Sequence, residues 1–113
     1  MRELTVIAGP ANSGKFPLAK KLLAEDPNRV LVHRDSVRDA IINKMDEWAV
    51  TLLMEAMTCR LLDMQKSVVV CAWNLEHTDA AMWKTVAAMY DVPLRWLDTR
   101  VAEVQCMIPP LEE

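Results

Sequence analysis

A chain of 113 residues, 52% hydrophobic and 26% charged, suits one compact domain, expected over 1–113, with enough apolar material for a real core. A formal charge of −3 gives no general attraction to nucleic acid, so such a substrate is disfavoured unless a local basic groove receives it. No run approaches the ~20 apolar residues of a membrane span. The start, MRELTVIAGP, has no signal-peptide pattern, so a cytoplasmic protein without a membrane partner is expected. Cys59, Cys71 and Cys106 are odd in number and lack metal-ligand spacing, so they read as reduced, packed thiols.

In chain order, residues 3–8 are a short β-rich run and predict a buried strand. Residues 16–26 (FPLAKKLLAED) predict a helix with Leu18, Leu22 and Leu23 on one face; Pro17 falls in its first turn, where it is tolerated. Asp26-Pro27-Asn28 ends it, and RVLVH (29–33) reads as a second strand. DSVRDAIIN (35–43) predicts a helix beginning at Asp35. Residues 46–66 predict a long helix with an apolar stripe of Trp48, Ala49, Leu52, Leu53, Ala56 and Met57. SVVVCA (67–72) is a strand without alternation, as expected when both faces are covered. A helix over 77–91 and a strand over 92–97 follow. Strands alternating with helices predict a three-layer α/β domain with a short, about four-stranded parallel sheet.

Between the first strand and the first helix lies GPANSGKF, residues 9–16. It matches the phosphate-binding pattern G-x-x-x-x-G-K-[ST] at every position except the last, where Phe16 replaces the hydroxyl. The chain has two glycines in all, Gly9 and Gly14, and both stand at the glycine positions of that pattern. A sequence otherwise almost free of glycine keeps it where the backbone takes unusual φ or approaches a ligand. The loop Gly9, Pro10, Ala11, Asn12, Ser13, Gly14, Lys15 and Phe16 is the expected nucleotide-binding set: its backbone N–H groups and the positive end of the helix would cradle phosphates, with Lys15 reaching the outer ones. An ordinary strand–helix turn with a surface lysine is the bland alternative, and pattern, context and composition all weigh against it. ATP or GTP is the expected ligand of a P-loop NTPase-type fold. No metal ligand is assigned, because Phe16 makes Mg²⁺ doubtful.

HRDSVRD, residues 33–39, follows the second strand. Asp35 there is at the sheet edge where α/β proteins bind ligands, and its carboxylate can take a proton from an attacking hydroxyl. Arg38, one turn on, can hold a phosphate by a bidentate contact. Taken alone, the motif is better explained by Asp35 as a helix cap and Arg38 as a solvated helix residue. The triplet is also similar to the protein-kinase catalytic loop, but position 40 is Ala where that motif needs Asn.

The order GPANSGK, HRDSVRDAI and VVVCAWNL, at these separations, resembles phage-type 5′-hydroxyl polynucleotide kinases and related small P-loop kinases over roughly residues 1–98. The resemblance implies that Lys15 contacts the β/γ-phosphates of ATP. It implies that Asp35 is general base on a 5′-hydroxyl and that Arg38 grips an acceptor phosphate; Asn74 and Leu75 also match. The departures imply a degenerate member. Phe16 replaces the Mg²⁺-ligating hydroxyl, and Ala72 stands where the family has an acid. Met107 falls where an arginine of the ATP-closing lid is expected, so the chain reads as lacking the lid. Arg95 and Arg100 are the nearby substitutes, and Asp98 is the spare strand-end acid.

Three readings follow. One is a nucleotide-binding, kinase-like protein with activity weak or lost, in a regulatory or protein-interaction role. The second is an active ATP-dependent kinase on nucleic acid or a small hydroxyl substrate, with metal held by water, Asp35 and Asp98. The third is a scaffold that binds no nucleotide. The intact loop favours the first over the third, and Phe16 and Ala72 favour it over the second. Eight Met and four Trp exceed what a small core requires. They point to a protein partner or self-association through the lid-less face, with Trp73 at the ligand edge to stack on a base or plug the crevice.

Overall fold

The computed structural model describes residues 2–41, 46–72, 77–100 and 105–108. Its elements run β1 (Leu4–Ala8), α1 (Lys15–Glu25), β2 (Arg29–His33), α2 (Arg34–Asp39), α3 (Glu47–Asp63), β3 (Ser67–Cys71), α4 (His77–Met89), β4 (Leu94–Asp98) and β5 (Gln105–Ile108). The sheet order is β2-β3-β1-β4-β5. The first four strands are parallel, with Val6 opposite both Val70 and Trp96. β5 runs antiparallel to β4, setting Met107 opposite Arg95. The four-stranded parallel sheet is as the sequence predicts. The segment expected to bear a lid arginine instead adds a fifth, edge strand.

β1 and β3 are buried along their whole length, which is why LTVIA and SVVVC show no alternation. One face of the sheet packs Leu4, Val6, Val68, Val70 and Leu94 against Val50, Met54 and Leu62 of α3 and Trp83, Val86 and Ala87 of α4. The other packs Ile7, Val69 and Leu97 against Ala19 and Leu22 of α1, with Leu18 and Leu23 at its margin. The result is three layers. Two arginines tie the amino ends of the strands to helix ends. Arg2 donates to the carbonyls of Leu62 and Tyr90 at 2.6 and 3.3 Å, and Arg29 donates to that of Leu22 at 2.7 Å and to Glu3 and Glu25. Cations there satisfy orphan carbonyls and complement the helix dipole.

The long helix differs from expectation in its rotation. Its buried line is Val50, Met54, Thr58 and Leu62, while Trp48 is 63% exposed and Leu52, Leu53 and Met57 are exposed with it. The helix is apolar nearly all round, so hydrophobic spacing offers two stripes. Polar anchors choose between them: Asp46 Oδ1 accepts from Ala49 N at 2.7 Å, and Arg34 reaches both Glu47 and Thr51. Once Glu47 and Thr51 face α2, Met54 is turned inward. α2 is also shorter than predicted and begins at Arg34, so Asp35 lies in its first turn rather than capping it. Trp73, Asn74 and Leu75 lie outside the described residues.

This rotation makes a direct prediction. Met54→Ala should cost about 2–5 kcal/mol in urea unfolding, whereas Leu52→Ala should cost less than about 1 kcal/mol. Equal costs would mean that the expected stripe is the buried one. Thr58 offers a second check. It is fully buried, and its hydroxyl has no hydrogen-bond partner among the described residues. Thr58→Val should therefore raise stability, by up to about 1 kcal/mol, and a clear loss would reveal a partner for that hydroxyl.

Candidate functional site

Parallel strands end on the same edge, so the residues after β1, β2, β3 and β4 meet at one rim. There the 9–14 loop turns from β1 into α1. Gly14 precedes the helix with φ 92°, a left-handed conformation that any Cβ would strain, and Asn12 is left-handed at φ 61°. Gly9 is required for a different reason: a Cβ on it would overlap Thr99 Oγ1 and come 2.7 Å from Ser13 Oγ. Lys15 opens α1 and folds over the loop, its Nζ donating to the carbonyls of Gly9 at 2.7 Å and Pro10 at 2.8 Å. The two glycines and the lysine thus lie together in one tight turn between β1 and α1.

Phe16 lies on the rim. Its ring is 45% exposed and stands 5.0 Å, centroid to centroid, from that of His33 at the end of β2, with Lys20 Nζ 5.4 Å from its centre. Pro17 and the first turn point the ring away from the core, which Ala19 and Leu22 fill instead. An aromatic edge has no lone pair for a hard cation.

Beside Lys15 is a crevice of about 290 Å³ lined by Ala11, Lys15, His33, Arg34, Asp35, Arg38, Glu47, Cys71 and Ala72. The loop and the HRDSVRD motif therefore meet, as the sequence predicts. The crevice continues into a second hollow of about 240 Å³ that shares Arg34, Glu47 and Ala72 and adds Thr51, Met54, Asp79, Met82 and Trp83. Burial pushes the Cys71 thiol up to about 11, which leaves it protonated and unreactive at neutral pH.

The residue that organises this crevice is Glu47, which motif reasoning passes over. Arg34 donates to Glu47 Oε1 from Nε at 3.2 Å and from Nη2 at 2.9 Å. Arg38 donates from Nε to Oε2 at 3.1 Å and from Nη2 to Oε1 at 2.7 Å, while its Nη1 donates to Asp35 Oδ1 at 2.9 Å. Two guanidinium forks on one carboxylate is the geometry that recognises an anion. The only hint in the sequence is an acid in the first turn of a helix, a commonplace position. Asp98, by contrast, does not join the crevice. Its carboxylate accepts from Arg100 N, Nε and Nη2 at 2.9, 3.0 and 2.7 Å, which holds it below the usual carboxylate range. Asp35 follows β2 and Asp98 ends β4, with β3 and β1 lying between those two strands in the sheet.

Mg²⁺ would need hard oxygen ligands at this rim. Among the described residues, Phe16 and Ala72 offer the ion no oxygen and the carboxylates of Asp35 and Asp98 are already engaged by Arg38 and Arg100, so these residues do not fit it.

Hydrogen bonds from Arg38, then Arg34, hold the Glu47 carboxyl down at about 2, from an ordinary 4.5. A carboxyl with a lowered folded-state pKa stabilises the fold above its ordinary value and loses that contribution as pH falls towards the lowered one. The urea midpoint should therefore drop between about pH 4.5 and 2, and drop less steeply in Glu47→Gln. Superimposable acid limbs would show that the fork adds nothing to the folded state.

No protein-family model and no curated protein sequence matches the chain. Solved structures do. A chain of the Pnkp1/Rnl/Hen1 complex superposes with TM-score 0.80 at 19% identity, over 99% of this chain and 46% of that one. A chain of the Pnkp1/Rnl/Hen1 RNA repair complex gives 0.75 at 21% identity, over 88% and 33%. A cysteine-to-alanine mutant of the Mycobacterium tuberculosis APS kinase CysC gives 0.61 at 18% identity, over 88% and 77%. The chain spans less than half the length of the first two. At such identities the likeness is one of fold alone, a parallel α/β domain shared with these chains.

Proposed function

We propose that the chain binds a nucleoside triphosphate by its phosphates at the 9–15 loop, as a kinase-like protein whose metal-dependent transfer is weak or lost. The carrying observation is Lys15, whose amine already lies across the loop on two carbonyls. Phosphate oxygens are stronger acceptors than those carbonyls, so the amine can exchange one set for the other without leaving the cradle. Amides at the start of α1 add the positive end of the helix dipole. Arg34 and Arg38 border the same crevice and can turn from Glu47 to a ligand phosphate. Without a fitting metal site, these three cations carry the neutralisation that Mg²⁺ supplies in a working kinase.

An active phosphotransferase is the second reading. It is favoured by Asp35 and Arg38 lining the crevice with Lys15, which suits a general base beside an acceptor site. Asp35 would take the proton of the attacking hydroxyl. A protein-interaction role draws support from the exposed Trp48, Leu52, Leu53 and Met57 of α3, rather than from the mouth of the cradle.

Calorimetric titration separates these readings. ATP or GTP should bind with an affinity that changes less than about threefold on adding Mg²⁺. Lys15→Ala should weaken it at least about tenfold, the scale of one charge-assisted contact. Equal binding by both proteins would remove the loop from the account. No transfer to 5′-hydroxyl DNA or RNA should exceed background, while Phe16→Ser with Ala72→Asp should make nucleotide binding Mg²⁺-dependent. Robust Mg²⁺-dependent turnover by the unmodified chain, abolished in Asp35→Asn, would establish the kinase instead.

A further inference from the structure

We propose that Thr99 is a positioning residue, which locks the 9–15 loop in its phosphate-receiving form through a relay of two hydroxyls. The role rests on the nucleotide-binding reading, but the lock itself is a property of the unliganded chain.

Thr99 follows β4, whose neighbour is β1. Its backbone N–H donates to the carbonyl of Ala8 at 2.9 Å, carrying the β1–β4 pairing beyond Asp98 to the base of the loop. Its hydroxyl lies 3.2 Å from that same carbonyl and 2.6 Å from Ser13 Oγ. The Ala8 carbonyl only accepts, so it can take the Thr99 N–H and the Thr99 hydroxyl together, while either hydroxyl can donate in the Ser13–Thr99 bond.

This tether differs in kind from that of Lys15. The Lys15 amine must leave the carbonyls of Gly9 and Pro10 to reach a phosphate, whereas the Ser13–Thr99 bond can persist with the cradle full. It spans 86 residues of sequence and joins the loop to the opposite side of β1 from β3. Thr99 is itself held in place. Asp98 Oδ1 accepts from the Arg100 N–H at 2.9 Å, closing a turn around it. Gly9 completes the unit, because a Cβ there would occupy the space of the two hydroxyls. A loop held in its binding form is spent no ordering entropy on binding, and affinity rises by the fraction of molecules already competent.

The test compares wild type with Thr99→Val, which keeps the shape and loses the hydroxyl, Thr99→Ser, which keeps the hydroxyl, and Ser13→Ala. Amide hydrogen exchange of the loop in the unliganded chain reads the lock, and calorimetry with ATP reads its use. Thr99→Val should speed exchange of loop amides about fivefold or more, leaving those of β1 and β3 unchanged. It should weaken ATP roughly two- to tenfold, the range of one net hydrogen bond. Thr99→Ser should match wild type in both, and Ser13→Ala with Thr99→Val should be no worse than either alone. Wild-type loop exchange in Thr99→Val, or additive effects in the double variant, overturns the relay whatever ATP does. Faster exchange in Thr99→Val, reversed in Thr99→Ser, upholds the lock even if wild type binds no ATP, in which case the nucleotide reading is what falls.

Discussion

The parallel pairing of β1 with β3 on one side and β4 on the other is the constraint from which the rest follows. Parallel strands place their carboxyl ends on one edge, so Gly9, His33, Ala72 and Thr99, far apart in the chain, meet there because the ladders run in register. Burial of β1 and β3 on both faces makes that register rigid, since a slip by one residue would send each apolar side chain to the other layer. The loop is thus mounted on the least deformable part of the molecule.

At that rim four cations are held by acceptors of the chain itself. Lys15 lies on backbone carbonyls, Arg34 and Arg38 on Glu47, and Arg100 on Asp98. A net charge of −3 therefore coexists with a crevice whose walls carry three cations. An incoming anion meets groups already aimed and partly desolvated, and competes with acceptors weaker or more exposed than itself. The arrangement limits repulsion among the cations by setting each beside an acceptor.

Much of this was legible in the sequence. Period and composition name the four parallel strands, and two glycines in 113 residues mark the loop. What was not legible is instructive. The rotation of α3 is decided by Arg34 reaching Glu47 and Thr51, a contact across the α2–α3 connection that hydrophobic spacing cannot see. The place of Phe16 depends on His33, seventeen residues later, whose ring supplies the other half of the contact. Glu47 and Thr99 belong to no motif, and their roles exist only once strand order brings them to the loop. β5 was passed over because QCMI is short and falls where the resemblance implies a lid that the chain reads as lacking.

Of the five strands described, the central one is made first. β1 hydrogen-bonds to strands that begin at residues 67 and 94, and its nearest strand in sequence, β2, is not its neighbour. During synthesis LTVIA thus leaves the ribosome with both backbone edges unpaired, and stays so until most of the chain has followed. Chain closure over such distances precedes any ladder at β1, which makes folding intrinsically slower than in a hairpin-built sheet. The strand that anchors the loop is the one that must wait longest for its partners.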